Sequence, residues 1–146
     1  MNNQISKKIL SELLNSQRFA VIATKGIKEP YANLVSFVST DDMENIIFAT
    51  SNKTKKYENI KRNSCISVLI DNRDNTESDI KKVIVITGIG NADEIKEKKD
   101  FYKDLYLKKH PYLLDFVNSE DSVLINIKID KYIVVNKFEN VEIIEL

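Results

Sequence analysis

The chain has 146 residues, about one domain's worth, with 22 basic against 22 acidic side chains and 42% hydrophobic residues. That balance leaves no net positive charge to hold a nucleic acid, and no apolar run reaches the roughly 18 residues of a membrane span. Met1-Asn2-Asn3-Gln4 does not open a secretory signal. A single cysteine, Cys65, and a single histidine, His110, rule out an internal disulfide and a His/Cys zinc site within one chain, and point to a reducing, cytoplasmic setting without a metal.

In chain order, Ile5, Ile9, Leu10, Leu13 and Leu14 form an apolar stripe of helical period. Phe19–Thr24 is a compact β-branched run closed by the turn-rich stretch Lys25–Pro30, and Tyr31–Thr40 resumes an extended pattern. After the polar turn Asp41–Asn45, Ile46–Thr50 makes a third short strand, so these three strands form an antiparallel meander. A helix is expected over Lys53–Arg62 and a fourth strand over Cys65–Ile70. Asp71–Asp79 is a hydrophilic loop, and Val83–Ile89 is a fifth strand, apolar throughout and so expected to be buried on both faces. Asp93–Lys109 reads as a helix, Ser122–Val135 alternates as a half-buried strand, and Val141–Ile144 closes the chain. One domain over residues 1–146 follows: a mainly β barrel carrying helices.

The densest charge feature is Lys53–Arg62, where five basic residues (Lys53, Lys55, Lys56, Lys61, Arg62) face one acidic residue, Glu58. Lysines at a helix start oppose the macrodipole unless an anion sits there. Free N–H groups, ammonium groups and the hydroxyls of Thr50, Ser51 and Thr54 together suit a phosphate, the competing reading being a solvated basic face. Gly88-Ile89-Gly90 lacks the third glycine of a dinucleotide fingerprint, with Asp93 in its place, and reads instead as a bulge or close backbone approach. His110 is read as a C-terminal cation or cap at a helix end, Cys65 as a mostly buried structural thiol, and Tyr102, Tyr106 and Tyr112 as core or interface anchors. Asp41-Asp42 sits in a solvated turn, and no nucleophile stands beside a base, so no catalytic residue is assigned.

Three stretches in this order carry a resemblance. The first is Phe19–Thr24 with Pro30–Phe37; the second is Ile46–Thr50, then Thr54-Lys55-Lys56 and Asn59–Asn63; the third is Thr87–Asp93. From about Ser11 to Ile144 the chain resembles the FMN-binding split-barrel family related to pyridoxamine 5'-phosphate oxidase. The resemblance implies a six-stranded antiparallel split β-barrel and a homodimer with FMN at its interface. Carried over by position, Thr54, Lys55 and Lys56 would hold the FMN phosphate. Asn33, Leu34, Val35 and Ser36 would run beside the isoalloxazine ring through backbone groups and the Asn33 side chain, and Ala49 and Thr50 would complete that wall. Relatives that use a deazaflavin or haem leave those cofactors as alternatives.

Two departures separate the chain from oxidases of the vitamin: Asn33 stands where they carry arginine, and their tail with Trp, Arg and Pro is replaced by Val141–Leu146 in a chain with no tryptophan. Vitamin oxidation is therefore not expected. The leading expectation is a flavin-dependent oxidoreductase that passes electrons from a reduced nicotinamide cofactor to a small-molecule substrate. A non-catalytic flavin, deazaflavin or haem binder (carrier, store or sensor) stands second, and a barrel without cofactor that serves as an interaction module third. The apolar runs Ile125–Val135 and Val83–Ile89 exceed what a lone small barrel needs, in keeping with a two-fold dimer.

Overall fold

The computed structural model describes residues 3–146, with side chains from Ser6 onward, so Met1, Asn2 and the expected stripe residue Ile5 lie outside the described backbone or side chains. Its elements run α1 (Asn3–Ser16), β1 (Phe19–Lys25), β2 (Pro30–Ser39), β3 (Asn45–Ser51), α2 (Lys55–Arg62), β4 (Cys65–Asp71), α3 (Asp79–Lys82), β5 (Ile84–Glu94), α4 (Lys99–Lys109), a 3-10 turn (Pro111–Leu113), α5 (Leu114–Val117), β6 (Ser122–Asn136) and β7 (Asn140–Glu145). The strands are ordered β3-β2-β1-β4-β5-β6-β7, and a β3–β6 ladder closes the first six into an antiparallel barrel. β7 is added to the second half of β6.

Alternation along the strands fills the barrel. Ala20 and Ile22 of β1, Val35 and Phe37 of β2, Ile46 and Phe48 of β3 and Ile125, Ile127 and Ile129 of β6 point inward, and Leu10, Leu13 and Leu14 of α1 pack into the same core. A second, smaller core lies outside the barrel wall, where Val38, Ile47, Ala49 and Leu124 meet Ile95, Tyr106 and Val117 beneath α4 and α5. Buried in this region, His110 presents Nε2 to the Phe37 carbonyl at 2.7 Å and Nδ1 to the Tyr112 hydroxyl at 3.1 Å. It caps α4 as expected, its N–H donating to the Tyr106 carbonyl at 3.0 Å, but as a buried core residue rather than a helix-end cation. Lys109 donates to the Leu14 carbonyl at 2.9 Å, capping the C-terminal end of α1, and burial beside Arg18 holds its ammonium down to about 8.

Several boundaries differ from the sequence reading. The fifth strand does not end at Ile89; its ladder with β6 continues to Glu94 opposite Ile125, so the helix expected from Asp93 begins only at Lys99. The register slips between Ile89 and Gly90, leaving Asp130 as an extra residue on β6. A Cβ on Gly90 would stand 2.0 Å from the Lys128 carbonyl oxygen, which is the close approach that its glycine allows. The bulge also shifts the inward phase of β6 from Ile125, Ile127 and Ile129 to Tyr132 and Val134. β5 is not buried on both faces: Ile86, Gly88 and Gly90 face in, while Val85, Thr87 and Ile89 stay half-exposed. The hydrophilic loop leads into the short α3, and Cys65 is exposed at the start of β4, where it has no core to enter.

Candidate functional site

β2 pairs with β1 over Pro30–Ser36, but with β3 only over Phe37–Ser39. Beyond Phe37 the two strands part, and this fork is the split in the barrel. The parity of the β2 backbone is fixed at the fork. The Phe37 N–H donates to the Arg18 carbonyl, on the β1 side, whereas the Ser36 carbonyl accepts from the Tyr106 hydroxyl at 3.1 Å, on the other side. Leu34, two residues along, presents its N–H and carbonyl to that same open side. A strand edge with free donors therefore borders the split.

Across the split stand the end of β3 and the start of α2. Thr54 is the N-cap of α2, not Lys53 its first residue: its backbone is extended and its Oγ1 accepts from the Tyr57 N–H at 3.4 Å. The same hydroxyl donates to the Ser51 carbonyl at 3.0 Å and lies 3.1 Å from Thr50 Oγ1, so both threonines are spent on holding the corner. The first-turn N–H groups of Lys55 and Lys56 remain directed out of the helix end. Tyr57 ties the helix to β5 through a 2.6 Å hydrogen bond to Glu94, which raises the pKa of the phenol. Asn59, fully buried, donates to Thr24 at 3.0 Å and accepts from Arg62 at 2.9 Å. These bonds anchor the helix start rigidly against the barrel.

The cations of the cluster are unequal. Lys53 pairs with Asp121 at 3.1 Å, and Lys55 pairs with Glu29 at 3.5 Å over the Tyr31 ring. Lys56 is half-buried and has no carboxylate within ion-pair distance among the described residues; burial alone holds its pKa below the usual lysine range. An ammonium kept there without a counter-ion is a standing attraction for an anion.

Of the expected ring-side residues, Asn33 is half-buried and its Oδ1 is shielded from solvent with no hydrogen-bond partner. Leu34 is 62% exposed on the outer face. The side chains of Val35 and Ala49 belong to the inner and outer cores respectively, so each offers the split only backbone, and Thr50 is buried at the corner. Tested against FMN, the residues fit: an unpaired cation and helix start for a phosphate, a free strand edge and an orphaned amide oxygen for the polar rim of a planar ring. Sequence reasoning missed Glu29, Glu94 and the role of Tyr106, because their partners lie 26 to 70 residues away in the chain. A cavity of about 280 Å³ between Lys55, Arg62 and the Gly26–Glu29 turn adjoins the cation cluster. Among the described residues no group of His, Cys, Asp and Glu could hold a metal ion, and no helix is long and apolar enough to cross a membrane.

The family model described as pyridoxamine 5'-phosphate oxidase matches residues 6–136 of the chain. No curated protein sequence matches it. Among solved structures it is similar to ChuZ of Campylobacter jejuni (TM-score 0.83, 20% identity, covering 99% of this chain and 61% of that one). It is also similar to a heme binding protein from Mycobacterium smegmatis (TM-score 0.81, 12% identity, 92% and 57% covered) and to an FAD-binding protein from Mesorhizobium loti (TM-score 0.70, 15% identity, 92% and 94% covered). The chain thus spans about three fifths of the length of the first two. At these identities the likeness is one of fold.

Proposed function

Because the chain belongs to the pyridoxamine 5'-phosphate oxidase family, we propose that it is an FMN-binding homodimer that passes electrons from a reduced nicotinamide cofactor to a small-molecule acceptor. The observation that carries this reading is Lys56: a half-buried ammonium without a counter-ion, one residue into a helix whose start faces the open edge of β2. In this reading Lys56, with Lys55 and the α2 N–H groups, holds the phosphate; Thr54 and Thr50 fix the corner; and the backbone of Leu34 and Ser36, with Asn33, meets the polar rim of the ring. FMN, when bound, supplies hydride and electron transfer, and the chain contributes orientation, exclusion of water and donors that tune the ring.

The second copy is suggested by the outer sheet face. Leu34, Val21, Leu69, Thr87, Ile133 and Ile143 are successive cross-strand partners from β2 to β7, one nearly apolar row spanning about 24 Å at strand spacing. Val85, Val135 and Val141 form a second row beside it. Because Leu34 also borders the split, a partner seated on this face would cover the site.

Haem is the second reading, favoured by the likeness to a heme binding protein. It is weakened by His110, the sole histidine, whose two ring nitrogens are both engaged in the core. The absorption spectrum of the purified protein tests both: flavin bands that are lost in the Lys55→Ala/Lys56→Ala double variant, and bleached by NADH or NADPH, support the proposal. A Soret band, or a colourless protein that takes up no added FMN, refutes it. Light scattering that gives a monomeric mass refutes the dimer.

A further inference from the structure

The fork in the barrel has a residue of its own. Tyr106 lies on α4, outside the barrel wall, and is 1% exposed. Its hydroxyl reaches the last rung before β2 and β3 part: it donates to the Ser36 carbonyl at 3.1 Å and lies against the Ala49 N–H. One helical turn further, His110 bonds the next β2 carbonyl, that of Phe37, on the opposite side of the strand. Side chains at i and i+4, one in the last turn of α4 and one at its C-cap, thus grip consecutive peptide groups of β2. The grip sits where the paired half of β2 ends and its open edge, Leu34 and Ser36, begins.

We infer that Tyr106 is the positioning residue of the ring site: by clamping Ser36 at the fork it sets where the open edge of β2 stands relative to Thr50 and the start of α2. The inference rests on the FMN reading above and adds to it a residue that touches no ligand. Three features carry it. The only hydroxyl-bearing side chain that reaches the fork from α4 is spent on a strand carbonyl rather than on solvent or on another side chain. The ladder stops at that point although both strands continue, β2 to Pro30 and β3 to Ser51. Because the N–H and carbonyl of one strand residue point the same way, fixing the Ser36 carbonyl also aims the Ser36 N–H into the split.

Tyr106→Phe removes the clamp and keeps the packed ring. Affinity for FMN and for riboflavin is expected to fall by the same factor, about tenfold, since the ring and not the phosphate loses its partner. Lys56→Met, in contrast, weakens FMN alone. Tyr106→Phe with unchanged flavin affinity, or with a loss confined to FMN, overturns the clamp while leaving the FMN reading standing. A wild-type protein that binds no flavin overturns both.

A second measurement needs no variant. In amide hydrogen exchange on the wild type, the Ala49 amide is expected to be slow with or without FMN, whereas the Leu34 and Ser36 amides slow only when FMN is added. An Ala49 amide that is fast until FMN arrives would mean that the ligand, not Tyr106, sets the fork, and the inference fails.

Discussion

Lys56 offers the sharpest perturbation. In Lys56→Met the side-chain length is kept and only the ammonium is lost. A phosphate about 4 Å from a lysine gains roughly 4 kcal/mol per unit charge pair at an effective dielectric of 20. The side chain is partly open to solvent, and exposed pairs are heavily screened, which brings the contact to the range of a charge-assisted hydrogen bond, about 1.5–3 kcal/mol. FMN affinity should therefore drop about 10- to 100-fold. Riboflavin, which has the same ring and no phosphate, should bind the variant as it binds the wild type. Lys55→Met should cost FMN less, about threefold, because Glu29 already competes for that ammonium. The apo protein should not be weakened, since Lys56 satisfies no carboxylate in the fold and its burial disfavours the charge. Titrating each flavin by fluorescence quenching, with a thermal melt of each variant, separates these effects. Equal losses for FMN and riboflavin, or a loss larger in Lys55→Met than in Lys56→Met, would place the phosphate elsewhere.

Four further outcomes follow from the fold. His110 is held neutral chiefly by burial, which lowers its pKa below 6.5, so its contribution to stability is full above that value and is lost as pH falls through and below it. Thermal melts from pH 8 to pH 5 should show this decline, and His110→Gln should flatten it. Gly90→Ala places a methyl group 2.0 Å from a backbone oxygen that cannot swing aside, and should cost about 3 kcal/mol or prevent folding. Gly88→Ala meets only the side chains of Ile129 and Tyr132 at 3.1 Å and should cost less in urea denaturation. Phe138, exposed at the β6–β7 turn, adopts a left-handed φ of 60°, so Phe138→Gly should stabilise the protein by about 0.5 kcal/mol once relieved strain is set against the added freedom of the unfolded chain. A lower melting temperature in that variant would refute the strain argument.

What could be read in advance was whatever is local in the chain. The stripe Leu10, Leu13, Leu14 placed α1, and the alternation Ile125, Ile127, Ile129 placed the first half of β6, because each pattern has the period of its own element. The charge of Lys53–Arg62 pointed to the proposed anion site for the same reason: helix start and lysines are neighbours in sequence. Reading failed where a distant strand decided. Asp93 and Glu94 belong by composition to the charged helix that follows, yet the β6 partners Asn126 and Ile125 draw them into the sheet. His110 follows a basic run, and only the Phe37 carbonyl, 73 residues away, makes it a core residue.

The proposed site divides along the same line. Its phosphate half is one continuous segment, so Thr54, Lys55 and Lys56 could be named from the sequence. Its ring half depends on where β2 parts from β3, a point marked by no residue in either strand. The mark lies at the end of α4: Tyr106 and its C-cap His110, four residues apart, show a helix face in the sequence, but not the strand that the face grips. The balanced net charge belongs to this division as well. Lys53 and Lys55 are answered by Asp121 and Glu29, contributed by distant segments, and Lys56 is left as the half-buried cation open to a small anion.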